Sequence, residues 1–268
     1  MSEGQQYIQN KLNECYTVFR DNIDFNDNDF AQKLSSPLLI KVTEKWIESK
    51  TRVLVVGQET LGWEFFKWDN YGYDWEFSDI HNWLQFKNAH DSVDALVNAY
   101  EIFNFSSNNH PLNHRAPFFT TYRKIRKAVG DDEGTFETSV LWTNLIRMSV
   151  DEGSVFKNAT PEQREKLISA STEVFLDELK ILNPDIVIFF TGPIYDYALN
   201  KIINGPSFSK ILDYEEKVFA LISHENLPRM SWRTYHPAYL QRSKKTSIID
   251  YLCDQVKEFM EQRNGKSS

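Results

Sequence analysis

The sequence predicts an α/β fold with a central, mainly parallel sheet of about four strands. Val53–Val56 and Ile186–Phe190 are unbroken apolar runs of strand length, as in strands buried on both faces of a parallel sheet. Stretches with helical apolar spacing alternate with such runs, which is the pattern of an α/β protein. Three strands also run out into polar loops, at Gly57-Gln58-Glu59, at Asn144 and at Tyr235-His236-Pro237. Ligands of open α/β sheets bind at the carboxyl ends of the strands. Parallel strands would therefore gather Glu59, Asn144 and His236 at one edge.

Residues 3–21 carry Tyr7, Ile8, Leu12, Cys15 and Phe19 at helical spacing, which predicts an amphipathic helix. Asp24 to Asp29 is acidic, but it lacks the glycine and the closing glutamate of a calcium loop, so it reads as a solvated turn. Pro37–Ser49 is expected to be a second helix leading into the Val53 strand, making residues 1–50 an N-terminal helical segment. Trp63–His114 is an insertion dense in aromatic and acidic residues. One helix is expected within it, over Asp91–Phe103, with Val93, Leu96, Val97 and Tyr100 on one face.

A basic helix follows from Thr120 to Ala128, and then a strand over Val140–Asn144. Thr160-Pro161-Glu162-Gln163 is a helix start with capping threonine, first-turn proline and capping-box glutamine. That helix buries Leu167, Ile168, Val174, Phe175, Leu179 and Leu182, and Pro184 stops it. A short helix is expected over Ile194–Ile203, and strands over Val218–Ile222 and Met230–Thr234. The last helix turns Ile248, Leu252, Val256 and Phe259 inward.

At 268 residues and 41% hydrophobic, the chain fits one domain, 1–268, with 63–114 as an embellishment. Nothing resembles a membrane span or a secretion signal, so a cytoplasmic protein with no membrane partner is expected. Two cysteines, Cys15 and Cys253, exclude a cysteine-ligated zinc or iron–sulfur centre. His110 and His114 flank a proline that breaks ligand spacing, so neither metal nor other cofactor is expected. A net charge of −8 argues against wholesale nucleic-acid binding. Arg229, Arg233, Arg242, Lys244 and Lys245 still cluster in sequence and allow a local basic surface.

Four segments, in order, resemble motifs of the uracil-DNA glycosylase superfamily. They are the Gly57-Gln-Glu59 loop, Leu141-Trp-Thr-Asn144, Asn183-Pro-Asp-Ile-Val-Ile-Phe-Phe-Thr-Gly192 and Tyr235-His-Pro-Ala-Tyr-Leu-Gln-Arg242. The last is similar to the histidine–proline motif of the superfamily's iron–sulfur branch. Arg115-Ala-Pro-Phe118 resembles the segment whose aromatic stacks on the base. The resemblance spans Arg52 to the C-terminus outside the insertion and implies a three-layer α/β/α fold. It also implies a glycosylase in which Glu59 positions water under the sugar. His236, with loop N–H groups near Gln58, stabilises the departing base. Asn144, Phe118 and Gly57 then form the base pocket, with Leu61 and Gly62 beside it. Tyr239 and Leu240 fall where the family inserts a wedge into DNA, and Arg233, Arg242, Lys244 and Lys245 would hold phosphates.

Taken singly, each residue has a plainer reading: Asn144 a strand-end cap, His236 a turn residue, Phe118 core, Tyr239 and Leu240 packing, and the Arg123–Lys127 bases a solvated helix face. The chain also departs from the resemblance. It lacks the branch's four cluster cysteines, Thr60 replaces the proline after the acid, and Leu61-Gly62 replaces the aromatic that excludes 5-substituted pyrimidines. The opened position and the aromatic insertion favour a bulky modified pyrimidine, such as the glucosylated hydroxymethylcytosine of phage DNA. That substrate implies a bacterial protein of anti-phage defence; a monomer is expected. Excision of uracil or another deaminated base is the alternative, and a non-catalytic nucleic-acid-binding module is the alternative of another class.

Overall fold

A computed structural model describes residues 1–60, 79–105, 116–132 and 135–265. Its sheet has six strands in the order β2-β1-β3-β6-β5-β4: β1 Val53–Glu59, β2 Val140–Ile146, β3 Ile186–Phe189, β4 Ser207–Lys210, β5 Phe219–Ser223 and β6 Met230–Thr234. Of the five expected strands, β2, β1, β3 and β6 pair in parallel, and β5 pairs antiparallel with β6 and with β4, which completes an antiparallel margin. Strand β4 escaped the sequence reading because its Ser-Phe-Ser-Lys is largely exposed and has no apolar run. Val53–Val56 and Ile186–Phe189 are fully buried, as their composition requires.

Helices pack on both faces. Thr143 of β2 reaches Glu178 of α8 (Pro161–Leu182), whereas its neighbour Trp142 meets Phe118 of α6 (Pro117–Ala128). Successive strand residues point to opposite faces, so α8 and α6 lie on opposite sides. Helix α1 (Glu3–Asn22) and α9 (Asp196–Ile203) join α8, while α10 (Pro237–Arg242) and α11 (Ser247–Gly265) join α6. The capping box of α8 forms as expected from Thr160 and Gln163, and Asn183 ends the helix in the left-handed conformation. Among the described residues β2 is an edge strand, and Tyr100 of α5 (Ser92–Phe105) reaches it. The Tyr100 hydroxyl accepts from Trp142 N–H at 2.9 Å and donates to its carbonyl at 3.0 Å, so this edge residue is not left open. Among the described residues, no helix is long and apolar enough to cross a membrane.

Two N-terminal expectations are corrected together. Pro37–Ser49 is not one helix: only Glu44–Glu48 (α3) is helical, and Leu38, Leu39 and Ile40 are buried in irregular chain. Buried irregular backbone needs hydrogen-bond partners, and α1 supplies them. Gln9 accepts from Val42 N–H at 2.8 Å and donates to the Ile40 carbonyl at 3.3 Å, Gln5 donates to the Val42 carbonyl, and the Tyr16 hydroxyl accepts from Ile40 N–H. The inward face of α1 is thus Gln5, Gln9, Leu12, Tyr16 and Phe19, and Tyr7 is 58% exposed. In the acidic turn, Asp27 caps α2 (Asn28–Gln32). Arg126, expected on a solvated face, is buried and donates to the carbonyls of Asp132 and Thr135.

Candidate functional site

The parallel strands bring their carboxyl ends together as the polar loops implied. Gly57 lies opposite Asn144 in the β1–β2 register. A Cβ at position 57 would come within 2.3 Å of Asn144 Oδ1 and 3.3 Å of the Phe118 ring. The glycine is therefore needed for close approach, because the amide and the ring both pack over its backbone. Asn144 is buried and donates from Nδ2 to Thr60 Oγ1 at 3.0 Å. The threonine that departs from the resemblance thus anchors the asparagine, and its own carbonyl accepts from Ser35 Oγ at 3.2 Å. We expect Gly57→Ala to displace Asn144 and destabilise the fold by about 1–3 kcal/mol. Chemical denaturation checks this, and an unchanged midpoint would show that the amide moves freely.

His236 is the N-cap of α10, and its Nδ1 accepts from Ala238 N–H at 3.2 Å. With Nδ1 used as acceptor, the neutral ring carries its proton on Nε2, the nitrogen left free to donate. Burial, aided by the nearby Arg242 charge, lowers its pKa from 6.5 to about 4. The imidazole lies within 14° of parallel to the Phe118 ring, with centroids 6.0 Å apart. The unfolded chain binds this proton below pH 6.5 and the folded chain only below about 4, so stability should decline as pH falls through that window. His236→Gln should remove that part of the decline in urea midpoints measured from pH 7 to 4. An identical pH slope in both proteins would deny the depressed pKa.

Glu59 closes β1 with both carboxylate oxygens occupied. Oε1 accepts from the Tyr195 hydroxyl at 2.6 Å and Oε2 from Val155 N–H at 2.8 Å. Burial pushes its pKa up, and these donors, with Ser154, oppose that rise. Its neighbour Gln58 donates to the Thr191 carbonyl at 2.8 Å, which ties the β1 loop to the end of β3.

The expected DNA-facing residues divide. Tyr239 is 39% exposed and stacks on Tyr235 at 4.1 Å between centroids. Arg229, Arg242 and Lys244 are exposed, and Lys245 is half-buried. Two expectations are corrected. Leu240 is fully buried, because it occupies the inward side of α10, and is no wedge. Arg233 is 1% exposed: it pairs with Asp196 at 2.9 Å and donates to the carbonyls of Glu216 and Lys217, so it holds β6 to its neighbours and faces no phosphate. Leu61, Gly62, His110 and His114 lie outside the described residues.

Three participants escaped the sequence reading: Thr60, Ser154 and Tyr195. Tyr195 follows the Gly192-Pro193 turn beyond β3, so the strand-end rule would have reached it. Ser154 has no such signal. No family model matches the chain, and no curated protein matches it.

Proposed function

We propose that the protein is a monofunctional DNA glycosylase with a three-layer α/β/α, uracil-glycosylase-like fold, which hydrolyses the N-glycosidic bond of a base flipped out of DNA. The carrying observation is that an amide, an imidazole and an aromatic ring lie together over Gly57, at the carboxyl end of the strand that closes on the acid Glu59. Bond cleavage develops positive charge on the sugar and negative charge on the departing base. An imidazole neutral above pH about 4 can donate from Nε2 to a base carbonyl oxygen and so stabilise the anion. Glu59 stabilises the cationic sugar and orients the attacking water. Asn144 keeps its carbonyl oxygen and one amide hydrogen to read a base edge, and Phe118 supplies a stacking face. Arg242, Lys244 and Lys245 give the acidic protein a local phosphate contact, with Tyr239 beside them.

The preferred substrate, a bulky modified pyrimidine such as glucosylated hydroxymethylcytosine, rests on Leu61 and Gly62 in the sequence. The test uses defined duplexes carrying uracil or the glucosylated base, with free base and alkali-labile abasic sites as readouts. Release of the glucosylated base is the expected result. Release of uracil alone overturns the substrate, and release from no modified duplex overturns the glycosylase reading.

A further inference from the structure

We propose that Tyr195, backed by Ser154, is a positioning residue whose hydroxyl orients the Glu59 carboxylate for the reaction; the assignment rests on the glycosylase reading above. Two separate loops clamp the acid. From the turn after β3, Tyr195 places its hydroxyl 2.6 Å from Oε1. From the loop after β2, the residues leading into α7 (Val155–Asn158) place Val155 N–H 2.8 Å from Oε2.

Tyr195 is itself held. Its ring is buried and packs edge-on against Phe156 with centroids 4.8 Å apart, and its hydroxyl lies 3.2 Å from Ser154 Oγ. Ser154 in turn accepts from Phe156 N–H at 3.3 Å as the cap of α7. Residues 154–156 therefore supply a hydroxyl, an N–H and a ring to one cluster. A phenylalanine at position 195 would fill the same space and meet the same ring, so the hydroxyl is the part that packing does not explain.

The acid needs such donors. Burial alone favours the neutral carboxyl, which can neither take a proton from water nor stabilise a cationic sugar. O–H and N–H donors favour the anion, and a carboxylate with three of its four lone-pair sites used still has one for a water. Among the described residues, the groups bearing on Glu59 are Tyr195, Ser154 and the Val155 N–H, and none is a charged side chain. Burial and the adjacent Glu59 hold the Tyr195 hydroxyl well above its usual range, so it remains a neutral donor throughout the working pH.

The test compares wild type, Tyr195→Phe and Ser154→Ala. Losing a charge-assisted hydrogen bond from Tyr195 should lower kcat for base release by roughly 10- to 100-fold with KM little changed. Removing a donor to the anion raises the Glu59 pKa, so the acidic limb of the pH–rate profile should move to higher pH. Ser154→Ala should shift it the same way and less. Titration of the Glu59 carboxyl by carbon NMR, with its resonance identified through Glu59→Gln, gives the same comparison without turnover. An unshifted limb and an unshifted titration in folded Tyr195→Phe would overturn the assignment. A wild type that releases no base defeats the glycosylase reading, while the titration still decides whether Tyr195 governs Glu59. Should Tyr195→Phe fail to fold, the titration of Ser154→Ala decides, and no shift there counts against the proposal.

Discussion

On the proposed glycosylase reading, Glu59→Gln should release base about 100-fold or more slowly than wild type, the usual contribution of a positioned acid–base group. The substitution suits the site. Val155 N–H can only donate, so the amide oxygen turns to it, and the amide NH2 then faces the Tyr195 hydroxyl. That hydroxyl can rotate its proton toward Ser154 Oγ, 3.2 Å away, and accept. The contacts with Val155 and Tyr195 are kept, so lost activity reports lost charge. Single-turnover base release and filter binding to the same duplex separate the two effects: catalysis should fall while DNA affinity holds. Undiminished release would remove Glu59 from the mechanism.

Glu178→Ala should be the most destabilising of these substitutions, at about 3–5 kcal/mol, because it leaves an uncompensated buried charge. Glu178 and Arg147 form an ion pair whose side chains are essentially inaccessible. Tyr16 donates to the same carboxylate at 2.8 Å and Thr143 at 3.3 Å, so α1, α8 and β2 meet on it. Natural domains have only about 5–15 kcal/mol of stability in total, so a loss of this size should appear as a large drop in the urea midpoint. Replacing both partners with apolar residues, Arg147→Met with Glu178→Leu, should recover part of it, since the desolvation cost disappears with the charges while the Tyr16 and Thr143 hydroxyls still lose their acceptor. A double variant no better than Glu178→Ala would refute that explanation. Thr143 adjoins Asn144 in β2, so this network also supports the strand that presents the amide.

Which strands are central was legible because burial on both faces demands unbroken apolar runs, as in Val53–Val56 and Ile186–Phe189. The α8 start was legible because capping is a local event, set by Thr160, Pro161 and Gln163 within one turn. The inward face of α1 was not legible. Gln5 and Gln9 are buried with their amides bonded to the irregular chain at Ile40 and Val42, and that demand comes from a distant segment. Arg233 and Leu240 went astray for a related reason. A cation or an apolar side chain beside a candidate site reads the same in sequence whether it faces solvent or its own core, and here Asp196 and the body of the protein claim them.

At the site, the residue types and their order were legible along the chain: a glycine–amide–acid loop, a strand-ending asparagine and a histidine before a helix-starting proline. The parallel strands also implied that these share one edge. What each group is bonded to came from the folded packing. It set the Thr60 anchor on Asn144, the Nδ1 contact and burial that keep His236 neutral, and the Tyr195 and Val155 donors on Glu59. The difference is one of range. Strand and helix signals are written in neighbouring residues, whereas the charge state and aim of a buried group depend on partners far along the chain, separated from Glu59 by 136 positions for Tyr195 and 96 for Val155.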